Sequence, residues 1–414
     1  MPKNPIKPSE ARRLVLERVR PLEEEPVPLR AALGRVLAVD VESAEPVPGF
    51  DNSAMDGFAV RAADTAGASA TAPVALRIAD EARAGRPAAS ALEAGQAIAI
   101  STGAMLPEGA DSVVRVEDTA TNDARVEVTV EVDPGKNVRR SGEDIEPGAP
   151  ILRRGMTIGA AELGVLAAVG LAEVSCARRP RTRVLTTGDE LLEPGDAPRP
   201  GGVRNSNAYS IPSLALAAGA DLGGVETVGD DTIATRDAVE AALDGDLAVI
   251  SGGVSVGEHD HVKSALEELG VERVFWRVAL KPGKPTWFGV APGGTLVFGL
   301  PGNPVSAMVT FLLFVRPAIR AQLGVGERAD RASAVLDEDL PTALGRDHAV
   351  RCSLALRDDG WHARPTGDQR SHVLTSMLGA DALAIVRAEG DAPLAGSRIE
   401  VELLPGVGPV GSPR

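Results

Sequence analysis

The sequence predicts an α/β protein of several domains, centred on a sandwich of helices around a largely parallel sheet. From about residue 181 to residue 323, candidate strands and helices alternate along the chain. Before this stretch, short alternating segments between Gly and Pro turns predict a small β subdomain, and after it the helical pattern stops. The 414 residues are enough for roughly two to four domains at ~150 residues each.

The N-terminal region, predicted as residues 1–177, contains a β subdomain inserted at about 51–138. Ser9 is the candidate N-cap of a first helix, and residues 30–37 are predicted to form a second, short helix. Alternating apolar residues between turn formers predict strands at 74–78, 96–100, 112–117 and 125–132.

The central domain, predicted as residues 178–326, alternates strands and helices in the order typical of a parallel sheet. Its candidate strands are 182–185, 221–228, 247–250, 273–278, 285–290 and 296–298. Its candidate helices are 208–218, 232–243, 260–269 and 304–323. The tail, residues 330–408, lacks a helical pattern and is predicted to be a small all-β domain.

The segment DLAVISGGVSVGEHD, residues 246–260, is the centre of the functional prediction. Its apolar run, Leu247 to Ile250, is typical of a strand buried on both faces of a parallel sheet. The glycines that follow allow a sharp turn and close approach of backbone N–H groups to a ligand, and the next helix directs its positive end there. Two interpretations remain open for this segment: a floor for an anionic ligand, or a tight turn without a ligand.

Three strand ends of the central domain share this design: LTTGDE at 185–190, the 246–260 segment, and FGLPGNPVSA at 298–307. In the third, Asn303 is a candidate N-cap and Pro304 suits the first helical position. Parallel strands place their carboxyl ends at one edge of a sheet, so the loops are expected to form one site for a phosphate-bearing or pterin-like ligand. The residues expected to bind it are Thr187, Gly188, Ser251, Gly252, Gly253, Ser255, Gly257, Pro301, Gly302 and Asn303.

Carboxylates accompany these loops at Glu190, Asp230, Asp231 and Asp260. Oxygen ligands beside phosphate oxygens suit Mg²⁺; the alternative is that each acid only stabilises a helix N-terminus. The histidines at 259 and 261 are two residues apart at a helix start and therefore diverge, which disfavours a zinc site.

The segment LKPGKP, residues 280–285, is the clearest basic element. Its loop of Pro and Gly restricts the backbone and holds Lys281 and Lys284 as a pair, which suits a small oxyanion or a phosphate. In the tail, Arg351 and the 366–372 segment are further candidate donors, although taken alone they would be assigned to the surface.

Composition limits the classes of function. The formal charge of −15, from 58 acidic and 43 basic residues, argues against nucleic acid as the main partner. Cys176 and Cys352 cannot form a disulfide framework and are expected to be small core residues in a reducing compartment. No apolar run reaches the ~20 residues of a membrane span, and the first residues lack the apolar core of a signal peptide, so we expect a cytoplasmic protein.

Six motifs occur in order along the chain: FDNSAMDGFAV, NVRRSGEDI, TTGDEL, SGGVSVGE, KPGKP and GLPGNPVSA. Together they closely resemble the molybdopterin molybdenumtransferase family, which is related to the C-terminal domain of gephyrin. The resemblance extends from about residue 8 to about residue 406. It implies an elongated N-terminal region with the inserted β subdomain, a molybdopterin-binding α/β domain and a C-terminal β-barrel. It also implies a homodimer whose active cleft lies between the α/β domain of one subunit and the N-terminal region of the other.

The family's reaction takes adenylylated molybdopterin and molybdate, releases AMP and yields molybdenum-loaded molybdopterin with the help of Mg²⁺. The resemblance implies catalytic roles for Asp56, Thr102, Asp144, Glu190, Asp231 and Asp260. It implies that Glu190 and Asp260 hold the Mg²⁺ ion. It implies that molybdate is bound by Lys281, Lys284, Ser306, Arg351 and Ser371. A working partnership with the molybdopterin adenylyltransferase is also implied.

Three positions depart from the family pattern: Phe58 and His261 stand where Tyr is usual, and Arg370 precedes Ser371 where a small residue is usual. Two other classes compete. A nucleotide pyrophosphatase or deamidase of the competence-damage type shares the α/β domain but lacks the DNSAMDG and NVRRSGEDI motifs. A gephyrin-type scaffold would bind molybdopterin or molybdate without turnover, and the intact acids and lysines argue against it.

Overall fold

The computed structural model describes residues 5–122, 124–253, 261–326, 330–341 and 344–405. The predicted fold class is confirmed, because an N-terminal region with an inserted β subdomain, an α/β domain and a C-terminal barrel follow one another along the chain. The predicted site residues Ser255, Gly257 and Asp260, together with His259, lie outside the described residues.

The N-terminal region is built from nested antiparallel pairings between the outgoing and the returning chain. Its helices are α1, Pro8–Leu16, and α2, Ala160–Ala168. Its strands are β1 Glu24–Pro28, β2 Val41–Glu42, β3 Asn52–Ser53, β4 Gly57–Val60, β5 Val74–Ala82, β6 Gln96–Ile100, β7 Ser112–Arg115, β8 Thr119–Asn122, β9 Arg125–Val128, β10 Val138–Arg139, β11 Pro150–Leu152 and β12 Glu173–Ala177. β1 pairs with β12, β2 with β11 and β3 with β10, while the insertion forms a six-stranded sheet in the order β7-β4-β6-β5-β9-β8. The insertion therefore leaves and re-enters this region through adjacent strands.

Two local predictions in this region are wrong. α1 begins at Pro8, so Ser9 lies inside its first turn and is not the N-cap; proline suits this position because its missing N–H would have no helical partner there. Residues 30–37 form only one 3₁₀ turn, Leu29–Ala31, because Leu37 bridges to β12 and tertiary pairing overrides the helical pattern. Other 3₁₀ turns are Ala62–Thr65, Val116–Asp118 and Leu374–Met377.

The α/β domain places a six-stranded sheet between two layers of helices. Its strands are β13 Arg181–Thr187, β14 Leu191–Leu192, β15 Val203–Arg204, β16 Asp221–Val228, β17 Leu247–Ser251, β18 Glu272–Trp276, β19 Leu280–Lys281, β20 Trp287–Val290 and β21 Leu296–Leu300. Its helices are α3 Asn207–Ala218, α4 Thr232–Ala242, α5 His261–Glu268 and α6 Pro304–Gln322. The strand order is β16-β13-β17-β21-β20-β18, in which β20 runs in the direction opposite to that of the other five strands. The sheet is therefore largely parallel, as predicted.

The central strand, β17, is buried on both of its faces. Leu247 and Val249 pack in the core shared with α3 and α6, whereas Ala248 and Ile250 pack in the core shared with α4 and α5. Full burial of a side chain such as leucine or isoleucine stabilises the fold by about 1.5–3 kcal/mol relative to its exposed state. This two-sided burial is the reason the strand is an uninterrupted apolar run.

Helix α6 crosses the larger of these two cores. Contrary to expectation, it is long and apolar enough to satisfy the length and composition of a membrane span, but 78% of that window is buried inside the protein. The helix contains a π-helical turn at Phe311–Val315, whose five side chains are all buried. Its apolar composition is therefore explained by packing within the core.

The C-terminal domain is a closed barrel. Its strands are β22 Arg331–Leu336, β23 Asp347–Arg357, β24 Gly360–Pro365, β25 Ala382–Val386 and β26 Arg398–Leu403. The order is β23-β24-β22-β26-β25, and pairing of β25 with β23 closes the ring. β19 leaves the α/β domain and pairs in parallel with β23, placing Lys281 opposite His348. As predicted, Cys176 and Cys352 are buried free thiols.

Candidate functional site

The three strand-end loops line one cavity of about 510 Å³ at the carboxyl edge of the parallel strands. Its lining includes Thr187–Gly188 at the end of β13, Ser251–Gly253 at the end of β17 and Gly302–Asn303 after β21. Pro301 is not part of the lining, but its carbonyl accepts a 3.4 Å hydrogen bond from the Ser251 hydroxyl. The expected meeting of the loops is present in the fold, and ligand binding by them stays a prediction.

Glycine is required in this floor because the backbones approach closely. At Gly252 the φ angle is +98°, and a Cβ atom would lie 2.6 Å from the Thr187 carbonyl oxygen. That carbonyl belongs to the backbone of the neighbouring loop and cannot move away without displacing it. A side chain at this position would therefore separate the two loops or distort them.

Two carboxylates face this cavity. Glu190 and Asp230 are both part of its lining, and the Glu190 carboxylate folds back over Gly188. Asp231 is not in the lining: it is the N-cap of α4, and its side chain accepts a 2.8 Å hydrogen bond from the Ala234 N–H. Asp231 therefore caps α4, Asp230 lies in the lining of the cavity, and the catalytic role implied for Asp231 stays a prediction.

No group of three or more His, Cys, Asp or Glu side chains is arranged to hold a metal ion within the described part of the chain. A Mg²⁺ ion needs less from the protein, because one or two carboxylates and the phosphates of a substrate commonly complete its shell together with water. Glu190 and Asp230, at the mouth of a cavity suited to an anion, fit that requirement.

The residues proposed for molybdate lie where the α/β domain meets the barrel. Ser306 is buried in the first turn of α6, whereas Lys281 at the end of β19 and Lys284 in the loop that follows are both exposed. The Asn303 amide donates a 3.3 Å hydrogen bond to the Ser371 hydroxyl, which joins the cavity loop to the barrel. This contact links the cavity to the barrel residues.

Arg351, taken alone, would be assigned to the surface, and this assignment is wrong because its side chain is 0% exposed. Its guanidinium donates hydrogen bonds to the Ser376 hydroxyl at 3.2 Å, the Asp368 carbonyl at 3.2 Å and the Arg370 carbonyl at 3.3 Å. Its Nη1 is buried without a hydrogen-bond partner among the described residues. Burial lowers the pKa of Arg351, and the opposing effect of the negative charge of Asp368 is smaller. A buried cation with an unused donor is suited to an anion.

His348 lies beside this cation on β23 and is also buried. Burial, together with the positive charges of Lys281, Arg351 and Arg346, lowers the pKa of His348 to about 4. Its Nε2 has no hydrogen-bond partner among the described residues. Positive potential is therefore concentrated at this seam, and the histidine is neutral at physiological pH.

The N-terminal residues of the predicted site lie elsewhere in the same chain. The Asp56 carboxylate accepts a 2.8 Å hydrogen bond from the Thr102 N–H, so these two residues are together. Asp144 is held in a separate turn, where its N–H donates to the Val47 carbonyl at 3.0 Å. None of the three is part of the lining of the α/β cavity in their own chain.

Comparison with known proteins decides the family. Residues 6–170 match the MoeA N-terminal region, residues 183–321 a probable molybdopterin-binding domain, and residues 333–404 the MoeA C-terminal region. The chain is 38% identical over 403 residues to molybdopterin molybdenumtransferase 2 of Mycobacterium tuberculosis, covering 95% of this chain and 98% of that protein.

The chain belongs to the molybdopterin molybdenumtransferase family.

Other relatives agree with this membership. The molybdopterin molybdenumtransferase of Bacillus subtilis is 36% identical over 390 residues, covering 93% of this chain and 90% of its own length. A molybdopterin biosynthesis MoeA protein from Pyrococcus horikoshii has a similar structure, with a TM-score of 0.82 at 32% identity, covering 97% of this chain and 99% of that one. Membership makes the protein a transferase with a role in molybdenum cofactor biosynthesis.

Sequence reasoning missed part of the cavity of this transferase. The wall is completed by Val203 and Arg204, which form β15, and by Asn205 and Asn207, which follow that strand. The pattern Asn-Ser-Asn at the start of α3, with Ser206 as the N-cap and Asn207 as the first helical residue, was the available signal, because asparagine side chains commonly bond backbone groups near helix starts.

Proposed function

We propose that this protein inserts molybdenum from molybdate into adenylylated molybdopterin and releases AMP, the last step of molybdenum cofactor biosynthesis. The observation that carries the proposal is the continuity of two ligand regions. A cavity with glycine loops and two carboxylates is joined through Asn303 and Ser371 to a seam with a buried, incompletely paired arginine. The first region suits a pterin phosphate and the second a small dianion.

In this proposal the glycine loops bind the pterin phosphate region of the substrate. Glu190 and Asp260 would hold Mg²⁺, Asp230 is a further carboxylate in the lining of the same cavity, and the ion would supply charge neutralisation. Lys281, Lys284, Ser306, Arg351 and Ser371 bind molybdate, a dianion that requires several charge-assisted donors.

The chain's own residues act mainly by positioning and by electrostatic stabilisation. A water oxygen bonds to the adenylate phosphorus, the bond from that phosphorus to the molybdopterin phosphate oxygen breaks, and the water proton is released. Negative charge on the leaving phosphate is stabilised by the loop N–H groups. No covalent intermediate with the protein is required.

A homodimer is part of the proposal. It is supported by the separation of Asp56, Thr102 and Asp144 from the cavity of their own chain, since a second copy would bring them to it. The substrate has to come from an enzyme that adenylylates molybdopterin, and that adenylyltransferase is the expected partner. A cytoplasmic location is proposed because the two enzymes then share one compartment.

The test incubates the protein with adenylylated molybdopterin and Mg²⁺, with molybdate or with sulfate at equal ionic strength, and measures AMP. AMP release that depends on molybdate and not on sulfate is the expected result. Release that is independent of molybdate rejects the transfer, and binding of molybdopterin without any AMP favours the gephyrin-type scaffold. Removal of Mg²⁺ with a chelator is expected to stop the release.

A further inference from the structure

The segment Asn205–Asn207 crosses the carboxyl ends of the parallel strands. Its first residue serves one side of the sheet: the Asn205 amide donates to the Thr186 hydroxyl at 2.9 Å and to the Thr227 hydroxyl at 3.0 Å, which joins β13 to β16. The Asn205 carbonyl oxygen accepts a 3.2 Å hydrogen bond from the Ala208 N–H. Asn205 is therefore fully paired within the fold.

Asn207 contacts the other two strands at their carboxyl ends. Its single Nδ2 donates to the Ser251 hydroxyl and to the Gly302 carbonyl, both at 2.8 Å. The Ser251 hydroxyl donates to the Pro301 carbonyl at 3.4 Å. These bonds join Ser251, the last residue of β17, to the loop after β21.

The strands themselves do not need these bonds. β17 and β21 already pair along their whole length, up to Ser251 opposite Leu300. Within the described residues, the Gly252 N–H also donates to the Leu300 carbonyl at 3.2 Å, so the backbone holds the end of β17 beside the end of β21. The Asn207 amide extends this connection from Ser251 to Gly302, two residues beyond Leu300.

The energetics of Asn207 also distinguish it from a purely structural residue. The side chain is 7% exposed in the wall of the cavity, and its Oδ1 is buried with no hydrogen-bond partner among the described residues. An unpaired buried carbonyl opposes folding and offsets part of what the two bonds contribute. Such local conflicts are expected at functional sites.

We propose that Asn207 is a positioning residue of the transferase: it holds the loop after β21 against the end of β17 at Ser251, and so sets the affinity for the pterin phosphate part of the substrate. The inference rests on the proposed function. Asn207 acts through the loops and does not itself take part in the transfer.

The test compares Asn207→Ala with a matched control at the opposite edge of the same strand. Thr295 is 6% exposed and precedes β21; its hydroxyl bonds the Leu243 and Gly245 carbonyls, both at 2.8 Å. Asn207→Ala is expected to raise the KM for adenylylated molybdopterin about five- to tenfold, the effect of about one net hydrogen bond, with little change in kcat or in melting temperature. Thr295→Val is expected to lower the melting temperature and leave KM unchanged.

Ser251→Ala and the double variant add a coupling measurement. If the two side chains act as one bridge, the rise in KM for the double variant will be smaller than the product of the two single effects. An unchanged KM in Asn207→Ala, or a loss of stability without a change in KM, overturns the inference.

Failure of the proposed function is recognised separately. If the unmodified protein releases no AMP, the comparison is made with free molybdopterin, whose binding is followed by its pterin fluorescence. Weaker binding by Asn207→Ala than by Thr295→Val then supports the positioning role, and equal binding, or no binding by the unmodified protein, overturns it.

Discussion

Replacement of Arg351 by methionine tests whether the seam between the α/β domain and the barrel binds a dianion. Methionine keeps the flexible apolar stem of the side chain and removes the guanidinium with its charge. The change removes three hydrogen bonds of 3.2–3.3 Å, at the long end of the normal range, and also a cation with a buried, unpaired Nη1.

These effects oppose each other. The three bonds together stabilise the fold by roughly 2–3 kcal/mol. The buried donor without a partner destabilises the fold through its desolvation, so its removal stabilises the variant by about 1–3 kcal/mol. Without molybdate, the free energy of unfolding of Arg351→Met is therefore expected to lie within about 1 kcal/mol of that of the unmodified protein. With molybdate at about 100 times its Kd, the unmodified protein gains about 2.7 kcal/mol and the variant gains almost nothing.

The assay is thermal unfolding at constant ionic strength with molybdate, with sulfate and with neither. Molybdate is expected to raise the melting temperature of the unmodified protein by about 5–10 °C and that of Arg351→Met hardly at all. Arg364→Met is the control, because Arg364 is an exposed barrel arginine in a surface ion pair with Glu338. An equal molybdate shift in Arg351→Met and in the unmodified protein would refute the anion-binding role.

Three other predictions follow from the same geometry. Lys284→Ala is expected to raise the molybdate concentration for half-maximal AMP release about tenfold, since it removes a charge-assisted donor; unchanged dependence counts against its role. The pKa of His348 is lowered to about 4, so between about pH 4 and 6.5 the unfolded state binds a proton that the folded state does not. The free energy of unfolding is therefore expected to rise by about 3 kcal/mol over this range. In urea unfolding, His348→Gln should not show this dependence on pH. His362 is expected to act in the opposite direction, because hydrogen bonds to two aspartates raise its pKa. His362→Gln should therefore lower the free energy of unfolding at acidic pH. If the two histidines changed the dependence of unfolding free energy on pH in the same direction, both assignments would be contradicted. Gly252→Ala is expected to lower the free energy of unfolding by about 1–3 kcal/mol and to weaken substrate binding. Gly164→Ala in α2, where the space around the Cβ position is open, is the control and should raise the free energy of unfolding by about 0.5–1 kcal/mol in the same measurement. Comparable effects of the two variants would show that crowding at Gly252 is unimportant.

The central sheet was predictable because its signals are local. β17 is an apolar run long enough for one buried strand, and Pro304 begins α6 where a proline is tolerated. The convergence of three loops followed from a rule about parallel strands, so no contact had to be known in advance.

Other features depend on contacts that the sequence does not encode locally. Whether Asp230 or Asp231 caps α4 depends on where the helix begins, to within a single residue. Arg351 has the sequence context of an exposed strand, but the barrel and the loop at 366–376 enclose it. The bridge made by Asn207 joins residues 44 and 95 positions away, and only the folded sheet brings them together.

The pairing of β19 with β23 divides the proposed molybdate site between two domains. Lys281 comes from the α/β segment of the chain but pairs with the barrel strand that carries Arg351. Ser306 and Asn303 belong to α6 and the residue before it. The two groups meet where the Asn303 amide donates to the Ser371 hydroxyl, and the core of this seam is shared, because Ala349 and Leu383 of the barrel belong to the same apolar cluster as Val309 of α6. The affinity for molybdate is therefore expected to depend on how the barrel packs against the α/β domain.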